Sequence, residues 1–134
     1  MVLKNKILGL DIGSKNTGIA ISDSTQSIAF SYSTIKTELL NSELIKIIKE
    51  ENILKIIVGK NLYQSKNFQV EKYVEKYLPK DIEAIYYNED FSTQKAKEIA
   101  ELKGLSELEF KEKKDELAAQ VILQNFIDEN AKMH

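Results

Sequence analysis

The chain has 134 residues, 43% of them hydrophobic and 30% charged, with a formal net charge of −2. That length suits a single domain over residues 1–134 with its own core, and the composition is ordinary for a globular chain. There is no cysteine and the one histidine is the terminal His134, so disulfide frames and thiolate metal sites are excluded, and neither zinc nor histidine acid–base catalysis is expected.

Residues 3–11 read as a buried strand ending at Asp11, and the turn Asp11-Ile12-Gly13-Ser14-Lys15-Asn16-Thr17-Gly18 leads into a hairpin partner over 17–23. Residues 27–35 alternate as a third strand. Leu39, Leu40, Leu44, Ile47 and Ile48 recur at helical spacing over 38–51. Residues 53–58 form an apolar run broken only by Lys55, as in a buried parallel strand. A helix is expected over 66–78, stopped by Pro79, then a strand over 82–87. Residues 93–103 read as a helix capped by Ser92 or Thr93, with Gly104 at its C′ position. A polar, Glu-rich connection over 105–112, in part helical, precedes a last helix over 115–128. The order β-β-β-α-β-α-β-α-α predicts an α/β fold. Its five-stranded mixed sheet has three antiparallel strands, then parallel strands, flanked by helices.

A carboxylate at the tip of a buried strand is costly without a lysine, a cluster of backbone N–H groups or a divalent cation to meet it. Glu89 and Asp90 follow the fifth strand directly. Right-handed crossovers bring the C-terminal ends of strands one, four and five to one sheet edge, where sites of open α/β sheets gather. Asp115 falls in line with Ala119, Ile122 and Phe126 on an inward helical stripe. Three such carboxylates would repel one another unless divalent ions joined them, and two ions bridged by carboxylates can hydrolyse a phosphodiester. With no sulfur or usable imidazole ligand, oxygen donors favour Mg2+ or Mn2+.

Each residue also has a plainer role open to it. Asp11 can satisfy the N–H groups of its own turn, Glu89 and Asp90 can be a solvated loop pair, and Asp115 can be an N-cap. Asp23 reads as a strand end. All 19 cationic residues are lysines, so phosphate contacts fall to lysine, hydroxyls or backbone N–H rather than guanidinium forks. Lys15 in the hairpin turn, and Lys60, Asn61 and Lys66 after the fourth strand, share the candidate edge and could border a substrate groove. Lys4, Lys6 and Asp11 interrupt the first apolar stretch, so no secretory leader or membrane partner is expected, and a cytoplasmic location follows.

The stretch Leu8 to Asp23 resembles the opening motif of the YqgF (RuvX-like) family, described both as Holliday-junction resolvases and as pre-16S ribosomal RNA nucleases. Ile56-Ile57-Val58-Gly59, Asn88-Glu89-Asp90-Phe91-Ser92-Thr93 and Asp115-Glu116-Leu117-Ala118-Ala119-Gln120-Val121-Ile122-Leu123-Gln124 resemble its later motifs, in order. The resemblance implies an RNase H-like fold with Asp11, Glu89 and Asp115 as metal-binding catalytic carboxylates. The implied substrate is structured RNA, above all the 5′ end of pre-16S rRNA on ribosomal particles, or branched DNA. A monomer or homodimer is expected. The chain departs from the family pattern in four places: Asn16 and Asp90 stand where arginine is usual, Lys60-Asn61 replace Leu-Pro after Gly59, and Asn88 replaces Asp. These changes leave a nucleic-acid-binding module without catalysis as a competing expectation. The same opening motif resembles the phosphate loop of actin-like kinases, but one domain of this length cannot close over a nucleotide.

Overall fold

β1 (Lys6–Ile12) is covered on both faces, so its apolar run is nearly continuous. Leu8, Leu10 and Ile12 enter one core with Ile19, Ile56 and Val58, and Ile7 enters a second with Ala20, Ile57 and Leu123. The two-residue period of a strand then places Gly9 and Asp11 on the Ile7 side. A computed structural model describes residues 3–60, 69–88 and 92–132 of the chain, apart from the side chains of 92, 93 and 132.

β2 (Asn16–Ser22), β3 (Ala29–Lys36), β4 (Ile53–Lys60) and β5 (Glu83–Asn88) complete a five-stranded sheet in the order β3-β2-β1-β4-β5. β1 pairs antiparallel with β2, and β2 with β3. The β1–β4 and β4–β5 pairs are parallel. This is the mixed sheet expected from the element order. Two strand ends run further than their apolar residues suggest. Asp11 pairs with Gly18 inside β1, which continues through Ile12 opposite Thr17. β4 passes Gly59 and ends at Lys60 opposite Asn88.

After a short 3-10 turn at Thr37–Leu39, α1 (Leu40–Glu51) and α2 (Val70–Tyr77) cover the Leu8 face with Leu40, Leu44, Ile47, Val70 and the following Leu78. α1 stops at Asn52, whose φ of 57° is the left-handed conformation asparagine tolerates at a helix end. On the other face lies α4 (Glu107–Lys132), seated through Ala119, Ile122, Leu123 and Ile127. α3 (Ser92–Leu102) packs on α4 through Ala96, Ala100 and Leu117.

The helical part expected within the polar 105–112 segment is the start of α4, which begins at Glu107 and runs unbroken into the last helix. Ser106 starts it with a capping box: its hydroxyl accepts the Glu109 N–H at 3.1 Å, and the Glu109 carboxylate accepts the Ser106 N–H at 3.1 Å. Asp115 therefore lies inside a 26-residue helix and is not an N-cap. The helix lies on the sheet backbone because glycines open its seat. A Cβ on Gly18 would run into the Asp115 main-chain carbonyl, and one on Gly59 into the Ile122 side chain.

Candidate active site

The crossing of α4 over Gly18 assembles the acidic centre. Gly18 is the cross-strand partner of Asp11, and the backbone of Asp115 sits directly on Gly18. Two carboxylates far apart in sequence thus share one corner of the sheet. The charge of Asp115 is felt at Asp11. Burial, then repulsion from Asp115, push the Asp11 carboxyl up to about 6 from an ordinary 3.8, while Lys114 pulls in the opposite direction. Burial also raises the Asp115 carboxyl, again against Lys114. Both shifts have the sign expected of acids drawn out of water beside a like charge.

Neither carboxylate accepts a hydrogen bond from a described residue. The hairpin turn does not supply one, because the Gly13 N–H donates to the Asn16 carbonyl at 2.9 Å. Lys15 is exposed and forms no ion pair with a described residue. The hairpin turn and Lys15 are thus not engaged with Asp11. Among the described residues, the cation that acts on the pair is Lys114, exposed and adjacent to Asp115. In the sequence it is only one member of a lysine run, since nothing local shows which of Lys111, Lys113 and Lys114 turns toward the sheet.

Glu89, Asp90, Asn61 and Lys66 lie outside the described residues. Among the described residues no group of three potential metal ligands converges. The donor set in view is therefore Asp11 and Asp115. Lys60 is placed on the α2 side of the sheet edge, where its ammonium meets the Glu71 carboxylate at 2.8 Å and lies 5.9 Å from the Tyr86 ring centroid. It faces away from Asp11, because β4 alternates and its Ile57 and Gly59 take the α4 side.

A half-buried neighbour, Glu116, also borders the centre. Its carboxyl is raised, chiefly by burial, and receives a long 3.4 Å hydrogen bond from the Thr34 hydroxyl. Thr34 pairs with Gly18 across β2 and β3, so Asp11, Gly18 and Thr34 form one row beneath this part of α4. The hairpin beyond Asp11 is pinned by the buried Thr37. Its hydroxyl donates to the Gly13 carbonyl at 2.7 Å, and its N–H donates to the Lys15 carbonyl at 2.8 Å. With that hydroxyl proton used, Thr17 must be the donor in the 2.8 Å Thr17–Thr37 contact.

A family model described as RuvX, Holliday junction resolvase, matches residues 5–129. The chain belongs to the RuvX family. A Staphylococcus saprophyticus relative, provisionally named a pre-16S rRNA nuclease, is 35% identical, covering 95% of this chain and 98% of the relative. A Malacoplasma penetrans protein with the same provisional name is 32% identical, covering 93% and 95%. Among solved structures, the fowlpox virus resolvase with Holliday junction DNA gives a TM-score of 0.58 at 14% identity, covering 93% of this chain and 98% of that one. Thermus thermophilus RuvC with a Holliday junction substrate gives 0.56 at 11% identity, covering 95% and 96%. Those two likenesses establish the RNase H-like fold. Asn16, one of two positions where the sequence resemblance implies arginine, is exposed at the start of β2. The other, at Asp90, lies outside the described residues.

Proposed function

We propose that this RuvX-family chain is a divalent-metal-dependent nuclease that hydrolyses phosphodiester bonds in structured RNA. Its proposed task is maturation of the pre-16S rRNA 5′ end in the cytoplasm, and the names of its relatives support that substrate. The observation that carries the chemistry is the Asp11–Asp115 pair at the crossing of α4 over Gly18. Hard oxygen donors, drawn from water and with no donor from a described residue, fit Mg2+ or Mn2+. Glu89, which follows β5 by one residue, is proposed as the third ligand.

A bound divalent cation would supply Lewis-acid polarisation of the phosphoryl oxygens and acidify a water. Asp11 and Asp115 hold two negative charges at a fixed spacing, and α4 keeps bulk water from the inner side of the pair. Lys114 adds a positive charge at the rim, suited to the substrate phosphate. A module that only bound nucleic acid would gain stability from neutral residues in place of this pair. The repulsion this chain tolerates therefore favours catalysis.

The test is cleavage of a pre-16S rRNA 5′ fragment with Mg2+ or Mn2+. Asp11→Asn should reduce cleavage to background while RNA binding in EDTA persists. Undiminished cleavage by that variant would overturn the assignment. The RuvX description favours a second reading, a DNA junction endonuclease. A four-way DNA junction in the same assay separates the two: faster cutting of the junction than of the RNA would favour it.

A further inference from the structure

The sheet edge that holds Asp11 carries a second feature outside the acidic centre. A cleft of about 400 Å³ opens beside the β1–β2 hairpin, lined by Ser14, Lys15, Asn16, Lys36, Glu38 and Tyr77. Its parts are held in fixed register. Asn16 pairs with Lys36 across β2 and β3, and Thr37 underneath holds the Lys15 and Gly13 carbonyls. Lys15 and Lys36 are both exposed, and neither has an ion pair with a described residue, although Glu38 shares the wall. Lys6 and Lys60, by contrast, are matched to Glu51 and Glu71.

We propose that Lys15 and Lys36 form a phosphate-backbone site for a nucleic-acid strand, separate from the Asp11–Asp115 centre. The site rests on the nuclease reading for its ligand, and its geometry fits one strand serving both places. Lys36 is two strands across and two residues along from Asp11. At standard sheet spacings that is roughly 12 Å between Cα atoms, a span that a short stretch of one strand can bridge. A strand leaving the acidic centre over the β1–β2 hairpin would reach the cleft at that distance.

The experiment is fluorescence anisotropy of a labelled single-stranded RNA oligonucleotide with the full chain in EDTA, titrated with salt. The Lys15→Gln/Lys36→Gln double variant should bind more weakly, and its slope of log affinity against log salt should shrink by roughly 0.7 for each phosphate no longer neutralised. Glu38→Gln should bind more tightly than the parent. Both variants change exposed side chains, and unchanged melting curves would confirm intact folding. Unaltered affinity and slope in the double variant overturn the proposal, as does competition by inorganic phosphate as strong as that by the oligonucleotide. Because no metal is present, a chain that binds but does not cut leaves this result standing. A chain that cuts but whose binding ignores both lysines overturns this site alone.

Discussion

Asp11→Asn should make the metal-free protein more stable while abolishing its activity. The rise of the Asp11 carboxyl from 3.8 to about 6 corresponds to about 3 kcal/mol between its two protonation states. The sign follows from linkage. The folded state holds the proton more tightly than the unfolded state, so protonation stabilises the fold. That stabilisation is complete below about pH 4 and is lost as pH rises toward about 6. At pH 7.5 the wild type bears the full penalty and the neutral amide does not. The amide must still find hydrogen-bond partners in a desolvated corner, which lowers the expected gain to about 1–3 kcal/mol, or roughly 4–10 °C in Tm for a chain of this size. Urea unfolding in EDTA from pH 4 to 8 measures it. The two proteins should coincide near pH 4, diverge through pH 6 and run parallel above. Mg2+ or Mn2+ at pH 7.5 should then stabilise the wild type more than the variant, because binding to the folded state adds to its stability. Equal stability at pH 7.5, or a gap that widens toward pH 4, would refute the account of a charge held at a cost.

Asp115→Asn should lower the Asp11 carboxyl from about 6 without restoring 3.8, since burial is the larger cause; carboxyl-carbon NMR titration reads this, and cleavage should be lost alongside. Gly18→Ala drives a Cβ into the Asp115 carbonyl and should cost at least about 1–3 kcal/mol by overpacking, seen as a lower urea midpoint. Ser106→Ala removes the capping hydroxyl and should cost about 1 kcal/mol. Cleavage at saturating metal should be nearly unchanged, because the cap is remote from the acidic pair.

The strands were legible because β1, β2 and β4 are buried runs bounded by turns, and their order left few arrangements of the sheet. The inward stripe of α4 was equally plain from Ala119, Ile122 and Phe126. Its start was not. Residues 107–114 are mostly Lys and Glu with no apolar period, so the helix there is announced only by the Ser106-x-x-Glu109 cap. Without that cap in view, Asp115 keeps an N-cap role that the structure excludes. Asp11 was placed at a strand tip because the apolar run ends there, whereas pairing of Ile12 with Thr17 carries β1 one residue further. The closeness of Asp11 to Asp115 depends on an absent side chain, that of Gly18. A hairpin glycine reads locally as a turn requirement, and nothing in its neighbourhood shows that a helix from the far end of the chain rests on it.

The same helix closes the core and carries the acid, and this links stability to chemistry. Ala119, Ile122, Leu123 and Ile127 set the rotation of α4, and Gly18 and Gly59 set its depth. The direction of Asp115 is therefore decided by packing rather than by a loop. An apolar residue at 115 would extend the stripe, and a neutral one at 11 would end the repulsion. Either change would help an ordinary core. A carboxylate at both positions instead holds two oxygen donors in place before any ligand arrives, so little reorganisation would remain for a cation bound as proposed. Under the proposed function, the cost that burial and Asp115 place on the Asp11 charge would be offset by a bound cation. Loss of stability at neutral pH and affinity for the proposed cation would then be two readouts of one arrangement.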